Sequence, residues 1–158
     1  MVKTEKKITR EGMENSSTRV LPVGTTIISA RGTVGRIALV GVPMAMNQSC
    51  YGLRGKMGQR GLFTYFATRE LVARLQQHAH GSVFDTITRE TLSRVSFAVP
   101  PNALVDAFEN RVGPTLERIR KGLLGSRTLA ALRDSLLPKL VSGEVRVKDA
   151  EHLVGNSN

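Results

Sequence analysis

The feature that most constrains this chain is its C-terminal third, because residues 102–143 predict one long helix. Apolar side chains recur there at intervals of three and four residues, which places them in a stripe suited to packing on another helix. At about 1.5 Å per residue, a helix of about 40 residues is roughly 60 Å long.

Packing against the preceding small domain is the alternative, but that domain offers no face of such length. We therefore expect the helix to dimerise or to dock on a partner. The predicted interface residues are Val112, Leu116, Ile119, Leu123, Leu129, Leu132, Leu136 and Leu140.

The first 101 residues alternate between strand and helix patterns. β-Branched runs at residues 25–30 and 36–42 predict a hairpin, and residues 46–53 and 95–99 predict further strands. Residues 62–78 and 88–92 have helical spacing. The predicted fold class is α+β, with a small mixed sheet-and-helix domain over residues 1–101. A long coiled-coil-like helix follows over residues 102–143, and residues 144–158 form a short strand or a disordered tail.

The net charge of +10 is concentrated in the predicted domain. Residues 1–101 carry 14 basic and 6 acidic side chains, whereas residues 102–158 carry 9 and 7. An excess of this kind favours a polyanionic partner, and nucleic acid is the first candidate. General solubility or nonspecific binding to nucleic acid is the alternative.

One turn, one predicted strand (residues 46–53) and one loop in this domain carry side chains suited to DNA. Arg and Lys can pair with guanine, Asn and Gln can pair with adenine, and further polar groups can hold phosphates. Arg31 and Arg36 flank a glycine-containing turn of the predicted hairpin, and glycines in the loop at residues 54–61 allow the backbone to approach a ligand closely. Solvated surface charge is the alternative for each residue taken singly. The predicted DNA-binding residues are Arg31, Thr33, Arg36, Asn47, Gln48, Arg54, Lys56, Gln59 and Arg60.

Other classes of function find little support in the sequence. There is no phosphate-binding loop of the Walker type and no dinucleotide fingerprint, so we predict neither a cofactor nor a catalytic residue. His78 and His80 do not lie on one helical face, and we predict a surface pair and no metal site. Cys50 is the single cysteine, which excludes an internal disulfide. No segment resembles a signal peptide or reaches the roughly 20 apolar residues of a membrane span, and we expect a cytoplasmic protein.

Several short segments, taken in order, resemble the specificity subunit of type I restriction-modification systems. They are ITREG at 8–12 with NSS at 15–17, LPVGT at 21–25, ISARGTVGRIAL at 28–39, NQS at 47–49, GSVFDTI at 81–87 before VPP at 99–101, and LRDSLLPKLVSGE at 132–144. Each segment is weak alone, but together they extend over most of the chain.

The resemblance implies a target recognition domain followed by a conserved long helix. Members of this family look like two such units in tandem, with the two helices antiparallel and each domain recognising half of a split site in double-stranded DNA. The helices fix the gap between the half-sites and bind the modification (methyltransferase) subunits, and through them the restriction subunit. Methyl transfer and cleavage are implied to belong to those partners, so a non-catalytic subunit is expected here.

The chain departs from the family pattern in two ways. It holds one unit, and it begins later than family recognition domains, which usually carry further strands before the ITREG segment. We expect a fragment, a truncated product or a half-subunit that pairs with itself. Two other functions stay open: an assembly module that binds partner subunits without recognising DNA, and a nonspecific basic nucleic-acid-binding protein.

Overall fold

The α+β prediction is confirmed by a computed structural model that describes residues 1–55, 60–78, 86–96 and 98–146. The helices of this part of the chain are α1 (Arg10–Glu14), α2 (Gly61–His78), α3 (Arg89–Ser93) and α4 (Asn102–Val141). Its strands are β1 (Val20–Leu21), β2 (Thr26–Ser29), β3 (Ile37–Leu39), β4 (Met44–Ala45) and β5 (Cys50–Leu53).

Strand β2 is the centre of a three-stranded antiparallel sheet with the order β3-β2-β5. The predicted hairpin is confirmed, because Ile28 pairs with Ile37 across β2 and β3. On the other side of β2, Ser29 pairs with Cys50 at one end of the sheet and Thr26 pairs with Leu53 at the other. Strands β1 and β4 form a separate two-stranded antiparallel pair, which the sequence pattern did not predict because two-residue strands carry no periodicity.

The core of the domain lies between β2 and α2. Ile28 and Ala30 alternate along the strand direction and therefore lie on the same side of it, where they cluster with Val72 of α2 and with Ile87. Ile28 is fully buried, and Val72 and Ile87 are 4% and 2% exposed. This packing orients α2 against the sheet.

Helix α2 begins in close contact with the start of β2. A Cβ atom added at Gly61 would lie 2.7 Å from the backbone oxygen of Gly24, closer than atoms can approach without a shift of the backbone. Glycine at position 61 is therefore required by backbone proximity, and the first turn of α2 is held beside Gly24.

The predicted long helix is confirmed as α4, which begins at Asn102 and ends at Val141. The chain divides into two compact units, Met1–Glu117 and Arg118–Asn158, and the boundary between them falls inside α4. In the first unit, α4 packs on the domain: Val105 is 1% exposed, and the rings of Phe108 and Phe66 meet edge to face at 5.6 Å.

Two local predictions have different outcomes. Thr88 caps α3 as predicted, with its hydroxyl accepting a hydrogen bond from the Thr91 N–H at 3.1 Å. The strand predicted at residues 95–99 is wrong, because its described residues, 95, 96, 98 and 99, form no strand. Residues that favour strands form one where they can pack against a neighbouring strand. Val99 is instead 65% exposed. The predicted tail lies largely outside the described residues, from position 147 onward.

Candidate nucleic-acid interface

The turn between β2 and β3 exposes three predicted DNA-binding residues, Arg31, Thr33 and Arg36. The hydroxyl of Ser29 crosses this turn, since it accepts a hydrogen bond from the Arg36 N–H at 2.9 Å and donates one to the Thr33 carbonyl. The Gly35 N–H closes the turn further by donating to the Ser29 carbonyl at 2.9 Å. The backbone that carries the two arginines is therefore fixed from inside the turn.

Glycine is required at position 35 of this turn for two reasons. Its φ of +80° lies in the left-handed region, which costs an L residue roughly 1–2 kcal/mol. An added Cβ would also lie 3.2 Å from Val72 Cγ1 and 3.2 Å from Gln76 Nε2. The turn thus lies directly on α2, and the same helix that builds the core also supports the exposed arginines.

The second turn precedes β5 and carries Asn47 and Gln48, both exposed. The Asn47 side-chain oxygen accepts a hydrogen bond from the Ser49 N–H at 3.1 Å, a local turn that this residue type favours. The Asn47 carbonyl also accepts from the Cys50 N–H at 3.4 Å. Both bonds use oxygens of Asn47 as acceptors, and neither uses the donor capacity of its amide nitrogen.

The two turns lie at the same end of the sheet, although more than ten residues separate them in sequence. Ser29 pairs with Cys50, and the Ala30 N–H donates to the Ser49 carbonyl at 2.7 Å, so the residues after β2 run beside the residues before β5. An isolated bridge between Arg31 and Thr86 fixes the same end from another segment. The structure therefore brings together five predicted residues, which we call the turn cluster: Arg31, Thr33, Arg36, Asn47 and Gln48.

The loop residues predicted with them lie at the opposite end of β2. Arg54 follows Leu53, which pairs with Thr26 at the far end of the strand. Cys50 and Leu53 are about 10 Å apart along an antiparallel strand, and the turn cluster lies beyond Cys50. The predicted DNA-binding set is thus divided between two ends of the sheet. Lys56 and Gln59, predicted in the same loop, lie outside the described residues.

At this second end, Arg54 and Arg60 have different surroundings. Arg54 is exposed and lines a cavity of about 250 Å³ beside Glu109 and the glycines at positions 24, 55 and 61. The side chain of Arg60 is only 15% exposed. Its Nη1 donates to Asn102 Oδ1 at 2.6 Å, and its Nε lies 3.5 Å from Asp106 Oδ1.

Three polar residues of α4 at this end were missed by sequence reasoning: Asn102, Asp106 and Glu109. Glu109 Oε1 accepts a hydrogen bond from the Phe63 N–H at 2.8 Å, which satisfies one of the free backbone donors in the first turn of α2. The three residues are spaced by four and three positions, so they share one side of α4. That spacing was the available signal, but it resembles an ordinary solvated face until the partner helix is known.

The described residues offer little that resembles a reaction centre. They contain no group of three or more His, Cys, Asp or Glu side chains arranged to hold a metal ion. Partial burial raises the pKa of the Cys50 thiol, so its reactive thiolate is less populated than in water. His80 and the side chain of His78 lie outside the described part of the structure.

The predicted interface stripe of α4 changes character along the helix. Val112 and Leu116, in the first unit, are half-buried. In the second unit, Ile119, Leu123 and Leu129 are 51%, 46% and 68% exposed. The predicted residues Leu132, Leu136 and Leu140 are of intermediate exposure. Among the 40 residues of α4, all of which the structure describes, Val105 alone is buried, so a long apolar stripe is left for other packing.

Comparison with known proteins shows the family of this chain. Residues 1–103, nearly two thirds of it, match the model of the type I restriction modification DNA specificity domain, and the chain belongs to that family. It is 23% identical over 137 residues to the type I restriction enzyme HindI specificity subunit of Haemophilus influenzae. It is 28% identical over 93 residues to the type I restriction enzyme MjaIX specificity subunit of Methanocaldococcus jannaschii.

The chain and these relatives differ in extent. The two matches cover 85% and 59% of this chain but only 30% and 22% of the respective relatives. The aligned part is therefore well under half of a curated specificity subunit. In the described part of the chain, no helix has the length and apolar content needed to cross a bilayer.

Proposed function

We propose that this chain is a DNA-recognition unit of a type I restriction-modification complex. It recognises one half-site of double-stranded DNA through the turn cluster and binds modification subunits through α4. The observation that carries this proposal is the convergence of two separate turns on one end of the sheet, where both arginines and both amide side chains are exposed. Family membership supports it, since the matched region ends at residue 103 and includes the whole turn cluster.

The chemistry of the turn cluster suits base recognition. A guanidinium can donate two parallel hydrogen bonds to guanine, and an Asn or Gln amide can both donate to and accept from adenine. A hydroxyl such as that of Thr33 suits a phosphate or a base edge. Because Ser29 and Gly35 fix the turn internally, the side chains approach DNA from a rigid support, which lowers the entropy lost on binding.

The partners follow from α4. Ile119, Leu123 and Leu129 are exposed apolar residues of this helix, and we propose that two copies of the chain associate there or that a modification subunit covers the stripe. The restriction subunit joins through the modification subunits, and methyl transfer and cleavage reside in those partners. This chain acts without a cofactor of its own, in the cytoplasm where the DNA is.

An assembly module that does not recognise DNA is the second candidate. It is favoured by the division of the predicted DNA-binding residues between two ends of the sheet, and by the engagement of Arg60 with α4. It predicts a stable complex with modification subunits and no sequence-dependent binding of DNA.

The deciding experiment co-expresses the chain with the modification subunit of its own system and maps the methylated bases in the host DNA. A split, palindromic motif is expected, because two copies would each recognise one half-site. The control replaces Arg31 and Arg36 with Ala, which should preserve the complex and abolish the motif. A stable complex that leaves the DNA unmethylated would instead support the assembly module.

A further inference from the structure

Arg60 occupies a position that differs from that of an ordinary surface arginine. It directly precedes α2, and its carbonyl accepts hydrogen bonds from the Thr64 N–H at 3.1 Å and from the Thr64 hydroxyl at 2.9 Å. Its guanidinium reaches 42 positions along the chain to Asn102, the first residue of α4, and four residues further to Asp106. The residue therefore belongs to the start of one helix and is bonded by its side chain to the start of another.

Glu109 makes the reciprocal connection from α4 to α2. Its carboxylate accepts from the Phe63 N–H at 2.8 Å, and a negative charge is favourable at a helix N-terminus. On the opposite side, Gly61 allows α2 to touch the backbone of Gly24. The first turn of α2 is thus held between the start of β2 and one side of α4. We call the four side chains on the α4 side the helix joint: Arg60, Asn102, Asp106 and Glu109.

The surroundings of Arg60 leave it poorly suited to contact DNA. Its Nη1 and Nε are directed at acceptors within its own domain, Asn102 Oδ1 and Asp106 Oδ1, and its side chain is 15% exposed. A phosphate bound to this guanidinium would compete with these contacts and would lie close to the carboxylate of Asp106. In contrast, Arg31 and Arg36 are exposed on a turn at the other end of the sheet.

We propose that Arg60 is a positioning residue, which holds the start of α4 in a fixed arrangement on the domain and does not contact DNA. This inference rests on the proposed function, in which the domain recognises a half-site and the helix sets the distance to the next one. The helix joint lies where these two tasks meet, since residues 102–117 of α4 belong to the same compact unit as the sheet. A looser helix joint would let the complex accept a wider range of spacings between half-sites, but recognition of each half-site would be unchanged.

The first test measures the joint without DNA. Urea denaturation of the full chain is followed for Arg60→Ala, Asp106→Ala and the double variant. We expect each single change to raise the unfolding equilibrium constant about three- to tenfold. The double change should add little to this, because the effects of substitutions at two residues in contact are not additive. Additive effects of the two changes would overturn the joint. The charge-exchanged variant, Arg60→Asp with Asp106→Arg, should recover part of the loss.

The second test uses the assembled complex with modification subunits. Methylation is measured on DNA in which the gap of the mapped site is lengthened or shortened by one base pair. Arg60→Ala should raise methylation of these mis-spaced sites relative to the correct site by about tenfold, and the charge-exchanged variant should reverse much of that rise. Unchanged discrimination in Arg60→Ala would overturn the positioning role, even if the stability coupling were found.

A third measurement separates positioning from DNA contact. The logarithm of the affinity for a half-site duplex is followed against the logarithm of the salt concentration. Loss of one phosphate contact reduces the slope by about one, and this result for Arg60→Ala would overturn the proposal. An unchanged slope is expected. If the parent chain binds no DNA and directs no methylation, the proposed function fails, and the denaturation cycle still decides whether the joint exists.

Discussion

The two ends of β2 carry basic side chains that look alike in sequence but differ in structure. At the Ser29 end, Arg31 and Arg36 are exposed on a turn that is held by backbone hydrogen bonds and by contact with α2. At the Thr26 end, Arg60 is largely covered and is bonded to Asn102 and Asp106 of α4. Strand β2 thus has at one end an exposed surface that a ligand can reach. At its other end lies a contact between two helices.

The difference shows that a basic residue near a glycine is not by itself evidence of a DNA contact. Glycine at position 35 permits a left-handed turn beneath exposed arginines, whereas glycine at position 61 permits two backbones to meet. In the second case the side chain of the neighbouring arginine donates a hydrogen bond to Asn102 of α4. The distinction depends on which acceptors lie within reach, and for Arg60 these are on a helix 42 positions away.

The largest effect should come from removing the support of the turn cluster. Gly35→Val combines a strained φ with a clash against Val72 and Gln76, and we expect it to lower the free energy of unfolding by about 3–5 kcal/mol. Gly32→Val is the matched control: it has a similar φ of +75° but open space around it, so about 2 kcal/mol is expected. Equal losses in urea denaturation would show that contact with α2 does not support the turn.

The next effect concerns the contribution of the turn cluster to DNA affinity. Arg31→Ala with Arg36→Ala should weaken binding to a cognate half-site by about 1–3 kcal/mol per arginine if each contacts a base. The matched control is Arg74→Ala, which removes an exposed arginine from an ion pair on α2. Fluorescence anisotropy at constant salt provides the measurement. Equal weakening by the control would mean that net charge, and not the turn cluster, determines the affinity.

A smaller effect on stability is expected from Glu109, which caps the start of α2 at the Thr26 end of β2. Glu109→Ala removes the acceptor of the Phe63 N–H and the negative charge beside the start of α2, which should cost about 1–2 kcal/mol of stability. Glu109→Gln keeps an acceptor without the charge and should fall between the alanine variant and the parent. Denaturation curves that coincide for all three proteins would show that this contact contributes nothing to holding α4.

The smallest change in stability is expected from a substitution in β2 itself. Thr26 is fully buried, and its hydroxyl has no hydrogen-bond partner within the described structure. Thr26→Val has nearly the same shape and removes the cost of burying that hydroxyl, so stability should rise by about 1 kcal/mol. Thr33→Val, on the exposed turn, should leave it nearly unchanged. A loss of stability in Thr26→Val would indicate a hydrogen bond that the structure does not contain.

Much of the fold could be predicted from local pattern. The β-branched run before Arg31 predicted β2, the apolar spacing after Gly61 predicted α2, and the capping residue Thr88 predicted α3. These signals are local, because side-chain periodicity and backbone capping act within a few residues. The run at residues 95–99 carried a similar strand signal, but its described residues form no strand, and there the prediction failed.

The sequence by itself determined the class of the chain, the long helix with its apolar stripe, and the residue types that suit DNA. Tertiary structure decided which of those residues act together. The pairing of Ser29 with Cys50 joined Asn47 and Gln48 to Arg31 and Arg36, and the packing of α4 on α2 drew Arg60 away from them. The physical reason is that strand register and helix contacts are set by burial of the whole core, which no local pattern contains.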